Sequence, residues 1–363
     1  MSLFDLSPKD SRRALFGRDR ELGEFVRLME HGRWTVVLGP RMVGKTSLVK
    51  SALSLLNRPT VYANLWGTRG THGLLHALVA GLNEHPPLLR RIAGVLRRIQ
   101  GVSVGGAGVS VTPLVRPLRT TSDLVQAIGS AAGAAVIVLD EVQELAPASR
   151  ALLRVLANIF NSYPRITFVF TGSYFGLLRT LLEPGSESPL YGRPPARLDL
   201  SPFDRETSID FLERGFQEHR LRVGRQEIGN VVDRSLDGIP GWLTLYGNYL
   251  AIQRLKPPAA ERATVEEAKR VIGLELGNFL AQKDAQTYWR ALKAIAFEPT
   301  WSELRGAISA ERGTPVNPNS IANILHKLRD AGLIDTITQH YRIRDPLVRT
   351  YVREARRPPR SRS

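Results

Sequence analysis

Trp34-Thr35-Val36-Val37-Leu38-Gly39-Pro40-Arg41-Met42-Val43-Gly44-Lys45-Thr46-Ser47-Leu48 decides the fold. It predicts a short apolar strand, a glycine-bounded loop and the start of a helix. Gly39, Gly44, Lys45 and Thr46 fit G-x-x-x-x-G-K-[ST] at every position. Glycine lets backbone N–H groups turn inward around an anion where a side chain would block the approach. The helix that begins beyond Gly44 adds partial positive charge at the same point. Residues Gly39, Pro40, Arg41, Met42, Val43, Gly44 and Ser47 are therefore the expected phosphate cradle. Lys45 is placed to reach the β- and γ-phosphates, and the Thr46 hydroxyl to ligate Mg²⁺.

A second stretch, Ala134-Ala135-Val136-Ile137-Val138-Leu139-Asp140-Glu141, supplies the chemistry. A continuous apolar run of this length suits a strand buried on both faces of a parallel sheet. Its two carboxylates fall at the C-terminal edge, where open α/β sheets bind ligands. Asp140 is expected to hold Mg²⁺ directly or through water, and Glu141 to orient and deprotonate an attacking water, worth about 10²–10⁴-fold in rate. Arg165–Ser173 reads as another strand with a polar end. There Thr171 and Ser173 either hydrogen-bond the γ-phosphate or the attacking water, or serve simple turn chemistry. Arg193 stands on a Gly/Pro-rich turn before a fifth strand near Ala196–Leu200. It is either a surface arginine or a finger aimed at a phosphate, the latter worth about 10³–10⁵ in kcat.

The chain has 363 residues, long enough for two or three domains, with the 43% apolar and 23% charged content of a soluble globular protein. No apolar run reaches membrane-span length, and Met1-Ser2-Leu3-Phe4-Asp5 has no signal-peptide character. Zero cysteines exclude disulfides, thiolate metal sites and cysteine nucleophiles. The expectation is a cytoplasmic protein with no membrane partner. A formal charge of +16, mainly from arginine, fits a polyanion partner such as DNA or RNA. It equally fits an arginine-rich proteome or surface ion pairing, because the arginines are scattered among acids.

Residues 1–13 read as a polar arm, followed by an amphipathic helix with Leu22, Phe25, Val26 and Met29 on one face. Beyond a second strand at Pro59–Leu65, helical material fills roughly 71–100. Gly101–Val111 alternates valine with small residues around a glycine cluster, as an inserted β-hairpin or a flexible linker would. Further helices are expected over about 121–130 and 149–161 in the core, and from 206 to 282 beyond it. Ala285–Phe297, Ser302–Ala310 and Asn319–Ala331 then read as three helices, with a two-stranded wing at Thr336–Arg344. That pattern is a winged helix-turn-helix, used either to read DNA or to pack protein parts together. In the first case Asn317, Asn319, Ser320, Asn323, His326 and Lys327 face the groove.

With these pieces in order, the chain resembles the archaeal ATPase group of the STAND class of AAA+-like P-loop NTPases, from about Leu15 to Val352. The group's hydrophobic-Gly-Arg-acid-x-Glu run matches Phe16-Gly17-Arg18-Asp19-Arg20-Glu21, and its arginine inside the P-loop matches Arg41. Its Asp-Glu pair matches Asp140-Glu141, its Gly-Ser sensor Gly172-Ser173, and its Gly-x-Pro lid motif Gly238-Ile239-Pro240. The resemblance implies an α/β P-loop NTPase core of AAA+/ASCE type, with a parallel five-stranded sheet. An all-α lid and a C-terminal winged helix-turn-helix would follow. It assigns 1–200 to the nucleotide-binding domain, with an insertion at about 71–130, 201–283 to the lid and 284–355 to the winged helix, while 356–363 reads from its own composition as a disordered basic tail. It also implies that Phe16, Gly17, Arg18 and Pro240 lie beside the base, that ATP or ADP with Mg²⁺ is bound, and that copies assemble in a nucleotide-dependent way.

Two functions follow as expectations. One is an ATP-hydrolysing regulatory switch, favoured because the lid segment Gly238–Tyr246 lacks the arginine that origin-recognition proteins aim at the γ-phosphate. The alternative is an ATP-controlled DNA-binding protein of the initiator or mobile-element type, favoured by the wing, the basic tail and the charge. A small-molecule kinase fits less well, since it needs neither Glu141 nor the C-terminal module.

Overall fold

The structure is a computed structural model. It describes every residue except 1, 69, 106–107, 113–116, 133, 143, 146–148, 173–189, 237, 282, 314–315, 332 and 360–363. Contacts divide the chain into two units, residues 8–201 and residues 1–7 with 202–363. Among the described residues no helix is long and apolar enough to cross a membrane.

The first unit is built on the expected parallel five-stranded sheet. Its strands are β1 (Thr35–Leu38), β2 (Thr60–Asn64), β5 (Ala135–Asp140), β6 (Ile166–Thr171) and β7 (Ala196–Asp199), in the order β2-β5-β6-β1-β7. The three inner strands are buried at every position, in keeping with their mostly apolar, β-branched-rich composition. The edge strands β2 and β7 alternate buried and more open positions. Strand parity then sorts the two faces. Val37, Val136, Val138, Val169 and Leu198 meet helices α1 (Asp19–Glu30) and α2 (Lys45–Leu53). Trp34, Val36, Ile137, Leu139, Phe168 and Phe170 belong to the larger core on the other face.

That larger core also holds the segment inserted between β2 and β5. It comprises α3 (Gly70–Asn83), α4 (Pro86–Leu96), the hairpin β3 (Val102–Gly105) and β4 (Gly108–Val111), and α5 (Pro117–Ala132). The hairpin is an antiparallel ladder tied to α3. The Asn83 side chain donates to the Val109 carbonyl at 3.0 Å and accepts from its N–H at 2.7 Å. Helix α6 (Ser149–Ser162) completes this face.

The second unit is helical: α7 (Arg205–Glu218), α8 (Arg225–Val231), α9 (Pro240–Gly247) and α10 (Pro257–Ala281), with π-helical turns after α8 and α9. Three more helices follow, α11 (Ala285–Ile295), α12 (Trp301–Arg312) and α13 (Pro318–Asp330), then the hairpin β8 (Ile334–Ile337) and β9 (His340–Ile343). A last helix, α14 (Pro346–Glu354), was not anticipated; Asp345 caps it by accepting from the Leu347 and Val348 N–H groups, with Pro346 at its first position.

One sequence expectation is corrected here: the start of the chain is not a polar arm. Leu3 and Phe4 are buried, and residues 1–7 belong to the second unit. The Phe4 ring meets Phe216 edge-on at 5.1 Å and stacks on His219 at 5.8 Å. Gly215 and Gly247 form its slot, since a Cβ at either would lie 2.2 Å from the ring. Asn248 donates to the Phe4 carbonyl at 3.0 Å, and the Leu3 N–H donates to Glu218 at 2.8 Å. Within the first unit, the Lys9 N–H donates to Ser47 Oγ at 3.1 Å, and Ser51 donates to the carbonyls of Lys9 and Ser11. The described part of the tail, residues 356–359, forms no helix or strand, and Arg360–Ser363 lies outside the described residues.

Candidate functional site: a phosphate loop facing a carboxylate

The loop between β1 and α2 turns through positive φ at Gly39 (155°), Met42 (62°) and Gly44 (96°). A Cβ on Gly39 would lie 2.5 Å from the Leu200 carbonyl, so the loop packs against the chain leaving β7. A Cβ on Gly44 would meet nothing within 4 Å, so the backbone there faces open space at the head of α2. A glycine-permitted turn at a helix N-terminus with no side chain in the way is what an anion cradle requires. Lys45, only 8% exposed, begins the helix and donates through Nζ to the Gly39 and Pro40 carbonyls, each at 3.0 Å. Its ammonium is thus held over the loop it is expected to serve.

Arg18 braces this loop. Its guanidinium donates to the Val43 carbonyl at 3.3 Å and the Ser201 carbonyl at 2.6 Å, and pairs with Glu21 at 3.0 Å. Burial lowers the guanidinium from its ordinary value, and the Glu21 carboxylate opposes that shift. Phe16 and Gly17 precede it, half-buried and exposed respectively. The Arg41 guanidinium lies 4.7 Å from the ring centre of Trp66, a half-exposed residue just past β2. Ser47 Oγ accepts the Lys9 N–H, so its visible partner is the incoming chain.

The carboxylate end of β5 meets the head of α2. Thr46 Oγ1 donates to Asp140 Oδ2 at 3.1 Å, which brings the two sequence motifs into one cluster. Asp140 is buried and takes two more hydroxyls, Tyr62 on Oδ2 and Thr171 on Oδ1. Parity explains the gathering: Asp140 follows Val136 and Val138 onto the α2 face, and Thr171 follows Val169. Burial, and then the Asp140 charge, push the Tyr62 phenol far above its ordinary value, so it stays protonated as a donor. Glu141, the next residue, turns away at φ 59°, and its N–H donates to Thr171 Oγ1 at 3.4 Å. A left-handed glutamate beside a buried carboxylate is local strain of the kind stored at functional sites.

Three site expectations fare differently. Thr171 does reach the cluster, but its hydroxyl holds Asp140. Ser173 lies outside the described residues. Arg193 does not join the cluster. It precedes β7, so in a parallel sheet it sits at the N-terminal edge, a strand length of about 13 Å from the phosphate end. There it is exposed, donates to Asn161 and lies 5.5 Å over the Phe160 ring. Tyr62 was missed by sequence reading; its place on a strand was legible, but the register that brings it to the Asp140 face was not. Pro240 opens α9 in the other unit, as capping chemistry predicts.

Comparison with known proteins agrees with this geometry. The profile of a family described as an ATPase domain predominantly from Archaea matches residues 15–245. Among solved structures, the chain is similar to a Walker-type ATPase of Pyrococcus abyssi at 31% identity and a TM-score of 0.78, covering 97% of this chain and 99% of that one. It shares a fold with the Aeropyrum pernix ORC2 protein in ADPNP–ADP complexes, at 15% identity and a TM-score of 0.61 over 96% of both chains. Cdc6p of Pyrobaculum aerophilum is similar at 17% identity and a TM-score of 0.52, over 96% of this chain and 97% of that one. No curated protein sequence matches.

Proposed function

The chain belongs to the family of ATPase domains found predominantly in Archaea, and from that premise we propose that it is a Mg²⁺-dependent ATP hydrolase working as a nucleotide-driven switch. The observation that carries the reading is the 3.1 Å bond between Thr46 Oγ1 and Asp140 Oδ2, with the Lys45 ammonium bonded to the adjoining loop. The donor set fits the ion: a hydroxyl and a carboxylate side by side are hard oxygen ligands, and Mg²⁺ takes its other positions from phosphates and water. Bound there, Mg²⁺ would neutralise charge on the β- and γ-phosphate oxygens. The loop amides and the Lys45 ammonium would hold the triphosphate in line. Glu141 would orient water and take its proton as the water oxygen bonds to the γ-phosphorus and the bond from that phosphorus to the bridging oxygen breaks, releasing ADP. Arg193, at the opposite edge of the sheet, would serve only a neighbouring copy in a nucleotide-dependent assembly. The STAND-like role rests on the resemblance and on the lid segment Gly238–Tyr246, which carries Pro240 and no arginine.

The test is nucleotide retained by purified wild type and Lys45→Ala, followed by steady-state turnover. The reading expects bound ADP or ATP in wild type and its loss in the variant. Equal retention in both would overturn it.

A second reading, ATP-controlled DNA binding, is favoured by the C-terminal module, which we take for a winged helix. Asn317, Asn319, Ser320, Asn323, His326 and Lys327 are all exposed along the start and one side of α13, and Thr338 and Gln339 of the hairpin tip are exposed as well. Polar uncharged groups on the first turns suit base edges, and Lys327 in the last turn suits a phosphate. Titration with duplex DNA over a range of salt decides this: the slope of log affinity against log salt counts phosphate contacts. A flat response at low salt would eliminate it.

A further inference from the structure

Asp140 is held by hydroxyls from three different elements, and two of them, Tyr62 and Thr171, have no part in the motifs that define the site. Tyr62 lies on the edge strand β2, opposite Val138 in the register. Asp140 is two residues further along β5 on the same face, about 7 Å away along the strand. A tyrosine spans that diagonal, whereas an aliphatic side chain would stop short of the carboxylate. The ring is also fixed from the side. Lys50, one turn beyond Thr46 on α2, holds its ammonium 5.0 Å from the Tyr62 ring centre.

The division of hydroxyls over the carboxylate is informative. Thr171 takes Oδ1, while Tyr62 and Thr46 share Oδ2. One donor on each oxygen is enough to set the plane of a carboxylate. With Tyr62 and Thr171 doing so, the Thr46 bond is the one free to open toward a metal without the carboxylate turning. We propose that Tyr62 is a positioning residue that fixes the Asp140 carboxylate for Mg²⁺, acting through Asp140 rather than on the nucleotide. This rests on the ATPase reading above and deepens it.

Tyr62→Phe removes the hydroxyl and keeps the ring and its Lys50 contact. Outer-shell partners of metal ligands typically change metal affinity by about 10–100-fold when removed. Three readouts separate positioning from packing: ADP affinity in EDTA, ADP affinity as Mg²⁺ is titrated, and Mn²⁺ bound with ADP measured by electron paramagnetic resonance. The expected result is wild-type ADP affinity in EDTA, with half-saturation by Mg²⁺ or Mn²⁺ moved upward about 10–100-fold. Thr171→Val, which removes the donor on Oδ1, should move the metal dependence in the same direction. Wild-type metal dependence in Tyr62→Phe overturns the proposal and leaves the ATPase reading intact. Absence of any Mg²⁺ effect on nucleotide binding in wild type overturns both.

Discussion

Gly238→Ala should weaken the C-terminal unit through backbone geometry alone. Gly238 sits at φ 68°, a conformation an L side chain adopts at a cost of about 1–2 kcal/mol. A Cβ there would lie 2.1 Å from the Phe203 carbonyl oxygen, a backbone atom with no rotamer to escape into. Forced shifts of that kind cost about 1–3 kcal/mol. Moving either strand of this contact also breaks the bond from the Phe203 N–H to the Gly238 carbonyl, 2.8 Å long and worth about 0.5–1.5 kcal/mol. Together these give about 3–6 kcal/mol, or on the order of 10 °C in Tm for a unit of this size. Calorimetry measures the shift, and hydrogen exchange locates it as lost protection in α7 and α9. A Tm within about 2 °C of wild type would refute the reasoning. So would a variant of unchanged stability that lost ATP affinity, because the glycine would then be acting at the nucleotide.

Three further outcomes are expected. Glu141→Gln should keep nucleotide binding and lower kcat by about 10²–10⁴-fold in single-turnover assays; a full-rate variant removes the residue from the reaction. Phe4→Ala empties a slot formed by Gly215 and Gly247 and should destabilise the second unit by about 3–5 kcal/mol, read by urea unfolding. Glu261 is held below the usual carboxylate range chiefly by its bond with Arg234, with Ser235 assisting. A depressed carboxylate stabilises the fold above its unfolded pKa and loses that contribution as pH falls through its folded value, so acid melts of Glu261→Gln should be flatter below about pH 4.5.

The first unit was readable because its signals are local. The apolar run of β5 and the β-branched and aromatic residues of β6 announce inner parallel strands, and G-x-x-x-x-G-K-T carries its own backbone requirements. What the sequence withheld depends on register or distance. Tyr62 reaches Asp140 only because β2 pairs with β5 so that Tyr62 faces Val138, an alignment with no mark in the residues themselves. Phe4 reads as an isolated hydrophobe in a polar arm until a glycine pair more than two hundred residues away makes room for it. Arg193, open in the sequence between a surface arginine and a phosphate-directed finger, lies away from this chain's own cluster for a different reason. Its Gly/Pro turn is real, but the residue before a parallel strand lies at the end of the sheet away from the ligand, and strand order alone could have placed it.

The chain passes from one unit to the other twice, after Ser7 and again after Ser201. Dissecting the protein at a single boundary therefore cannot yield two whole halves. A fragment starting at residue 202 would expose the apolar slot that Phe4 fills, inviting aggregation that could be mistaken for self-assembly. A faithful C-terminal fragment has to carry the first seven residues with it, supplied as a separate peptide or spliced on through a new linker.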